Sequence, residues 1–262
     1  MQCKRCSFIF RSPIPSKEEL ATYYACAESP THNIAQHVRE LKAKRRLSYV
    51  CKAKAMSQVK SLLDIGSDDG LFLHLVKQNY PHLKVVGIEP SRQRVELARS
   101  IYGISNVAEC SLEETNLKGT FDLITCFHVL EHVVNPRIFL SKIKAVMDSD
   151  SVLCLEIPDA SLTKFDLPFG IKLLTPGYKF REHLWFFSAK TFRRLLEQEG
   201  FNVISLKFVN FGLQPSVNDF IMKHLSFLFP FYEWFSNIIL LPLNAIGRGL
   251  QVRAIVKLTP KP

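Results

Sequence analysis

The sequence predicts an α/β protein: a doubly wound, mostly parallel seven-stranded sheet with helices on both faces, an N-terminal extension and a C-terminal helical cap. Three observations point there. From about residue 60 onward, short runs rich in Val, Ile, Leu and Phe alternate with segments that read as helices, the pattern of parallel strands joined by helical crossovers. A Gly/Asp-rich turn, Gly66-Ser67-Asp68-Asp69-Gly70, follows the first of these runs. A carboxylate, Glu89, closes the second.

Taken in order, residues 1–32 hold Cys3-Lys4-Arg5-Cys6 and then Pro13, Pro15 and Pro30, a loop or small module. A basic amphipathic helix is expected from Asn33 to Val50 in a segment reaching residue 59, because Ile34, Val38 and Leu41 recur at helical spacing. Its Lys42, Lys44, Arg45 and Arg46 are expected to be largely solvated. The main unit then runs over 60–262. Strands are expected at Leu62–Ile65, Lys84–Ile88, Asn106–Glu109, Phe121–Phe127, Ser151–Ile157, Phe201–Val209 and Gln251–Leu258. Helices are expected at Leu71–Gln78, Arg92–Tyr102 and Pro136–Met147, and from Ser188 as N-cap to Glu199, where Gly200 stops the chain. Residues 158–187 would form a substrate wall, and 215–248 an apolar helical cap.

Composition narrows the function. With 262 residues, 47% of them hydrophobic and 22% charged, the chain can bury a sizeable core, which excludes disorder, collagen-like repeats and disulfide scaffolds. The formal net charge of +10 suggests a nucleic-acid partner until it is divided. Residues 1–60 carry twelve Lys/Arg against four Asp/Glu, and the remaining chain is nearly neutral. No interleaved aromatic platform accompanies the basic helix, so nucleic acid is an unlikely partner. The seven cysteines are an odd number, mostly isolated, and no apolar stretch follows the first residues. A reducing cytoplasm is therefore expected.

The most apolar region, 220–246, falls short of a membrane span. Its longest uncharged run, Trp234 to Gly247, is 14 residues and contains Pro242, whereas a spanning helix needs about 20 apolar residues. Two short amphipathic helices with Phe227, Phe231, Trp234 and Phe235 on apolar faces fit better. They would form either a packed lid or a patch giving peripheral membrane contact.

The turn after the first strand selects its ligand by charge. A phosphate-binding loop would end in Gly-Lys-Ser/Thr, and a dinucleotide loop would place glycines at 68 and 71, where this chain has Asp68 and Leu71. Asp64, Asp68 and Asp69 crowd one turn and would repel a pyrophosphate. A cationic ligand without phosphate suits the turn, with Glu89 placed to accept bonds from two ribose hydroxyls.

On these residues the chain resembles class I S-adenosylmethionine-dependent methyltransferases, in the small-molecule branch that includes ubiquinone-type O-methyltransferases. The resemblance runs from about Ser61 to Val209. It rests on Leu63-Asp64-Ile65-Gly66-Ser67-Asp68-Asp69-Gly70, Val86-Gly87-Ile88-Glu89-Pro90, Phe121-Asp122-Leu123-Ile124 and His128-Val129-Leu130-Glu131-His132-Val133. Glu156-Ile157-Pro158-Asp159 and Glu182-His183-Leu184-Trp185-Phe186-Phe187-Ser188 follow. It implies a Rossmann-like fold, S-adenosylmethionine as cofactor and a small-molecule acceptor. The implied donor-binding set is Asp64, Gly66, Ser67, Asp68, Gly70, Glu89, Pro90, Ser111, Leu112 and Phe127, with Ile88 and Leu112 flanking adenine. Two departures stand out. Asp68 replaces the usual middle glycine, and Cys110-Ser111 stands where the family often has an acid for the adenine amino group.

His128, Glu131 and His132 match a zinc-hydrolase pattern, but that pattern needs one long helix and these residues directly follow a predicted strand. In the resembling family this turn lies beside the methyl donor. Some ubiquinone-type members bind a divalent metal there through Glu-x-x-Glu-His; here His128 stands in the first position, and no metal ligand set is assigned. The candidate catalytic residues are His128, as base or substrate orienter, with His132 and His183; which one acts stays open. Cys3 and Cys6 resemble the second half of a zinc ribbon, and Cys26, His32 and His37 do not complete a convincing set. The reading is methyl transfer to a sugar, glycan precursor or quinone-like lipid, probed against a nucleic-acid methyltransferase and a non-catalytic binding module.

Overall fold

The computed structural model describes residues 1–4, 8–16, 18–20, 22, 36–162, 183–209, 225–228, 230–231, 234, 238 and 250–260. The strands are Ile9–Phe10 (β1), Ser61–Ile65 (β2), Lys84–Glu89 (β3), Val107–Glu109 (β4), Leu123–Phe127 (β5), Val152–Pro158 (β6), Trp185–Phe186 (β7), Phe201–Val209 (β8) and Gln251–Leu258 (β9). The helices are Gln36–Ala53 (α1), Leu71–Asn79 (α2), Arg92–Ser100 (α3), Pro136–Lys144 (α4) and Ala189–Gln198 (α5).

Seven strands form one sheet in the order β4-β3-β2-β5-β6-β9-β8, and β1 pairs with β7 in a separate two-stranded ribbon. Neighbours from β4 to β6 are parallel, while β9 lies antiparallel between β6 and β8. The strand order reverses between β2 and β5, so the carboxyl ends of β2, β3, β5 and β6 share one edge at the point where such sheets open a crevice.

Both faces of the sheet are covered, which is why its central strands read as continuous apolar runs. Leu62 and Leu63 are fully buried on opposite faces. Leu62 packs with Leu47 and Val50 of α1, Leu73 and Val76 of α2 and Val95 of α3; Leu63 shares its cluster with Phe139 and Ile143 of α4 and Phe192 of α5. Helix starts follow from local chemistry. Asn135 Oδ1 accepts the amides of Arg137 and Ile138 ahead of Pro136, and Ser188 exchanges bonds with Thr191 as the predicted cap of α5.

Some boundaries differ from expectation for physical reasons. The helix expected to run to Met147 ends at Lys144, because Val146 and Met147 donate to carbonyls only three residues back and tighten the last turn. The third helix ends at Ser100 rather than Tyr102, ahead of Gly103 with φ +66°. The strand expected from Phe121 begins at Leu123. Phe121 donates to Val146 O, and the Asp122 carboxylate accepts the Lys60 and Ser61 amides.

The basic helix is also corrected. Its Ala43, Leu47 and Val50 belong to the core, and Arg46 is turned inward onto Glu156 with a 2.8 Å ion pair rather than solvated. Half-burial of Arg45 lowers its pKa, with Arg253 acting in the same direction. At the N-terminus, Phe8 packs on Trp185 and Phe187 at ring distances of 6.2 and 5.3 Å, which ties β1 to the wall segment. Cys6, Cys26, His32 and the side chain of His37 lie outside the described residues, as do 163–182 of the wall and most of 215–248. Within that last stretch Phe227, Phe231 and Trp234 are exposed, and Phe235 lies outside the described residues. Among the described residues no helix is long and apolar enough to cross a membrane.

Candidate active site

Two groups of side chains meet the open edge of the sheet. The first is the turn after β2. Gly66 and Ser67 donate their amides to Ile88 O at 2.8 and 3.0 Å, and Gly70 N closes the turn onto Ser67 O at 3.0 Å. Gly66 and Gly70 have φ of +75° and +82°, a region where side chains are strained. A Cβ on Gly66 would also strike Val129, and one on Gly70 would lie 2.7 Å from Ala98 Cβ. Asp68 adopts φ +50°, a left-handed conformation that Asp tolerates better than most residues.

Glu89 is 3% exposed at the end of β3, and its two oxygens accept the amides of Asp68 at 3.1 Å and Ser91 at 3.0 Å. Burial raises its pKa against the opposing charge of Arg94, whose guanidinium lies 3.8 Å from Glu89 and 3.3 Å from Asp68. The carboxylate is thus oriented by backbone, and each oxygen retains acceptor capacity. Asp64, buried within β2, takes a 2.6 Å hydrogen bond from the Thr125 hydroxyl of its register partner. Burial pushes its pKa up to about 7. Asp69 pairs with Arg39 of α1, so that helix is fastened to the turn. Leu112 is buried beside the edge, and Pro90 is exposed. The amide and hydroxyl of Ser111 are both committed to Glu114 at 2.9 and 2.8 Å. The backbone amide of Ser111 thus closes a capping box.

The second group follows β5. His128 sits at φ +58° and donates its amide to Glu156 O at 2.8 Å. Its ring is held at both nitrogens, Nδ1 3.2 Å from Glu131 Oε1 and Nε2 2.9 Å from Glu156 Oε1. Burial alone would lower its pKa, but the two carboxylates raise it to about 8. Both ring nitrogens are thus held by carboxylates, which fixes the orientation of the ring. Glu156 also receives Arg46 and, from β9, Arg253, and these cations hold it well below the usual carboxylate range despite burial. Phe127, predicted beside the donor, is buried under the Arg46 guanidinium at 4.9 Å and edge-on to Phe72.

Glu131 links this turn to the wall. Its carbonyl accepts the amides of Leu184 and Trp185 at 2.8 and 3.2 Å, and Trp185 Nε1 donates to Val133 O at 2.7 Å. These bonds bring His183 against His132, with ring centroids 4.7 Å apart and planes at 76°. All three predicted histidines therefore converge near one carboxylate, though they come from two distant stretches of chain.

A family model described as a methyltransferase domain matches residues 34–206, about two thirds of the chain. The chain belongs to that family. The ubiquinone biosynthesis O-methyltransferase of Haemophilus ducreyi is 28% identical over 134 residues, covering 45% of this chain and 56% of that protein. The probable (S)-tetrahydroprotoberberine N-methyltransferase 2 of Papaver bracteatum is 27% identical over 111 residues, 40% of this chain and 31% of that one. The chain thus spans about half or less of the length of these curated relatives. Among solved structures, the plantazolicin methyltransferase BpumL in complex with a triazolic desmethylPZN analog and SAH superposes with a TM-score of 0.55 at 16% identity, covering 94% of this chain and 92% of that one. The fold and family are those of S-adenosylmethionine-dependent methyltransferases.

In this methyltransferase domain the turn fits the donor on its own chemistry. The Ser67 and Ser91 hydroxyls are buried with no hydrogen-bond partner, so the turn holds unsatisfied polar groups beside Glu89. Gly66 lets Val129, from the turn after β5, approach to where a Cβ would stand, which keeps the two turns close. Sequence reasoning missed Thr125, Arg46, Arg94, Glu156 and Arg253 as parts of the site. Only Glu156, inside a quoted motif, carried a signal; the arginines reach it from elements whose pairing partners no local pattern names.

Proposed function

We propose that this domain methylates a hydroxyl oxygen of a small-molecule acceptor, with a sugar, glycan precursor or quinone-like lipid as the admissible classes. S-adenosylmethionine supplies an electrophilic methyl group when bound. Asp64, Gly66, Ser67, Asp68, Gly70 and Glu89 would hold it, with Ile88 and Leu112 flanking the adenine and Phe127 closing the inner side. The observation that carries the reading is the joint placement, on one sheet edge, of a carboxylate-rich turn and the His132–His183 pair. The first suits a cationic donor without phosphates, and the second handles the proton that an alcohol loses during methylation.

The inward course of Arg39 and Arg46 weighs against a nucleic-acid acceptor, since these charges neutralise Asp69 and Glu156 rather than form a free basic face. Exposure of Phe227, Phe231, Trp234 and Ile238 favours an apolar or lipid-linked acceptor and peripheral contact with a membrane.

Calorimetric titration with S-adenosylhomocysteine tests the donor site. Glu89→Ala is expected to bind about 100-fold more weakly, the worth of two charge-assisted hydrogen bonds. Equal affinity in the variant overturns the assignment. Turnover is then compared on phenolic, sugar and amine acceptors, and transfer to amines alone would overturn O-methylation.

A further inference from the structure

We propose that Phe10 of the N-terminal hairpin and Trp185 of the wall form a stacking platform for the acceptor, one that takes the flat apolar face of a ring. The family model begins at residue 34, so residues 1–10 are an addition to the matched domain. They fold back on themselves. Cys3 donates its amide to Phe8 O at 2.8 Å, Phe10 donates to Met1 O at 2.9 Å, and Gln2 bridges Ile9. The returning strand β1 then pairs antiparallel with β7, Ile9 opposite Phe186 and Phe10 opposite Trp185, and Arg11 N donates to Leu184 O at 2.8 Å. The addition is thus built onto the segment that carries His183.

Residues two apart on a strand share a face, so Phe8 and Phe10 stand together, with Trp185 across from Phe10. Their rings lie close to parallel with the indole, at 6.2 Å and 19° for Phe8 and 6.4 Å and 30° for Phe10. Phe8 and Trp185 lean on the main core cluster, whereas Phe10 is not among the residues packed on it, and all three are half-buried. The row reaches the site. Trp185 Nε1 donates to Val133 O at 2.7 Å, next to His132, and Trp185 follows His183 by two residues.

That bond spends the one polar group of the indole, so the row offers apolar surface alone. Hydroxyls pressed against it would lose their bonds to water without replacement, whereas the face of a ring gains by stacking. The acceptor ring therefore lies flat on Phe10 and Trp185, with its hydroxyl edge turned to the His132–His183 pair. This orientation rests on the O-methylation reading above; the stacking does not. A phenol offers such a face through its π-system and a sugar through its C–H bonds.

The two tryptophans of the chain are Trp185 and Trp234, so Trp234→Phe leaves Trp185 as the only indole and makes its fluorescence a report on the platform. The full chain carrying that substitution is saturated with S-adenosylhomocysteine and titrated with resorcinol and, separately, with methyl glucoside. At least one is expected to change the emission saturably, and which one does so identifies the kind of ring. Adding Phe10→Leu should weaken that binding about 3–10-fold, and Phe10→Tyr should preserve it. S-adenosylhomocysteine affinity should be the same throughout and reports an intact fold; should Phe10→Leu lose it, Phe10→Met is read instead. No saturable change with either ring overturns the proposal. So does equal ring affinity in Phe10→Leu, and a lowered melting temperature in that case would make the stack a structural contact only. Ring binding by a protein that does not bind S-adenosylhomocysteine would sink the donor reading and leave the platform standing, and the converse would do the opposite.

Discussion

The donor turn and the histidine cluster share a sheet edge and a problem, buried carboxylates, and they solve it differently. The turn keeps Glu89 and Asp68 in place chiefly with backbone amides and one nearby cation, Arg94, five residues from Glu89 and three from Ser91 in sequence. The cluster neutralises Glu156 with Arg46, His128 and Arg253, drawn from α1, the end of β5 and β9. Local hydrogen bonding yields a site whose shape is set by a few neighbouring residues. Long-range ion pairing yields one that exists only once the whole fold has closed. Helix α1 touches both, with Arg39 on the turn and Arg46, two helical turns later, on the cluster.

The sharpest way to break this contrast is to remove the shared anion of the cluster. Glu156→Ala leaves Arg253 buried and strips partners from Arg46 and His128. A loss of about 3–5 kcal/mol is expected, the cost of orphaning buried charges, read by urea denaturation. A loss under about 1 kcal/mol would mean that the network is solvated and the distinction between the two regions is wrong.

On the donor side the expected effect depends on pH. The Asp64 pKa is pushed up to about 7 by burial, opposed by the Thr125 hydrogen bond and Arg46, while Glu89 and Asp68 act with burial. The folded chain therefore holds a proton that the unfolded chain releases at about pH 3.9. This group's contribution to stability is greatest below about pH 4 and declines as pH rises to about 7, by at most about 4 kcal/mol. Asp64→Asn should flatten that decline, gaining on the wild type between pH 5 and pH 8 in parallel urea melts. Parallel curves for the two proteins would show that Asp64 stays ionised.

These differences explain how much could be read in advance. The positions of most strands and helices, the cap at Ser188 and the turn at Gly66–Gly70 depend on periodicity and local chemistry, and they were legible. The surroundings of His128 were not legible, because its motif shows neither Glu156 across the sheet nor the use of both ring nitrogens. Arg46 looked like a solvated charge because helical spacing says which residues share a face, not what that face meets. The convergence of His183 on Glu131 depends on two backbone bonds to a carbonyl, and side-chain patterns carry no trace of a carbonyl's partner.

The smallest expected effect asks whether α1 belongs energetically to the donor turn. Arg39 pairs with Asp69, both largely buried, and Asp69 also accepts the Leu71 amide at 3.3 Å at the start of α2. Arg39→Ala should cost about 1 kcal/mol and Asp69→Asn a similar amount, because each leaves one partner without its counter-charge. The double variant should cost less than their sum, by a coupling of about 1 kcal/mol. Strict additivity would mean that the helix sits on the turn without holding it. A positive coupling that also lowers S-adenosylhomocysteine affinity in Arg39→Ala would make the basic helix part of the donor site, its charge turned toward carboxylates rather than toward a partner outside.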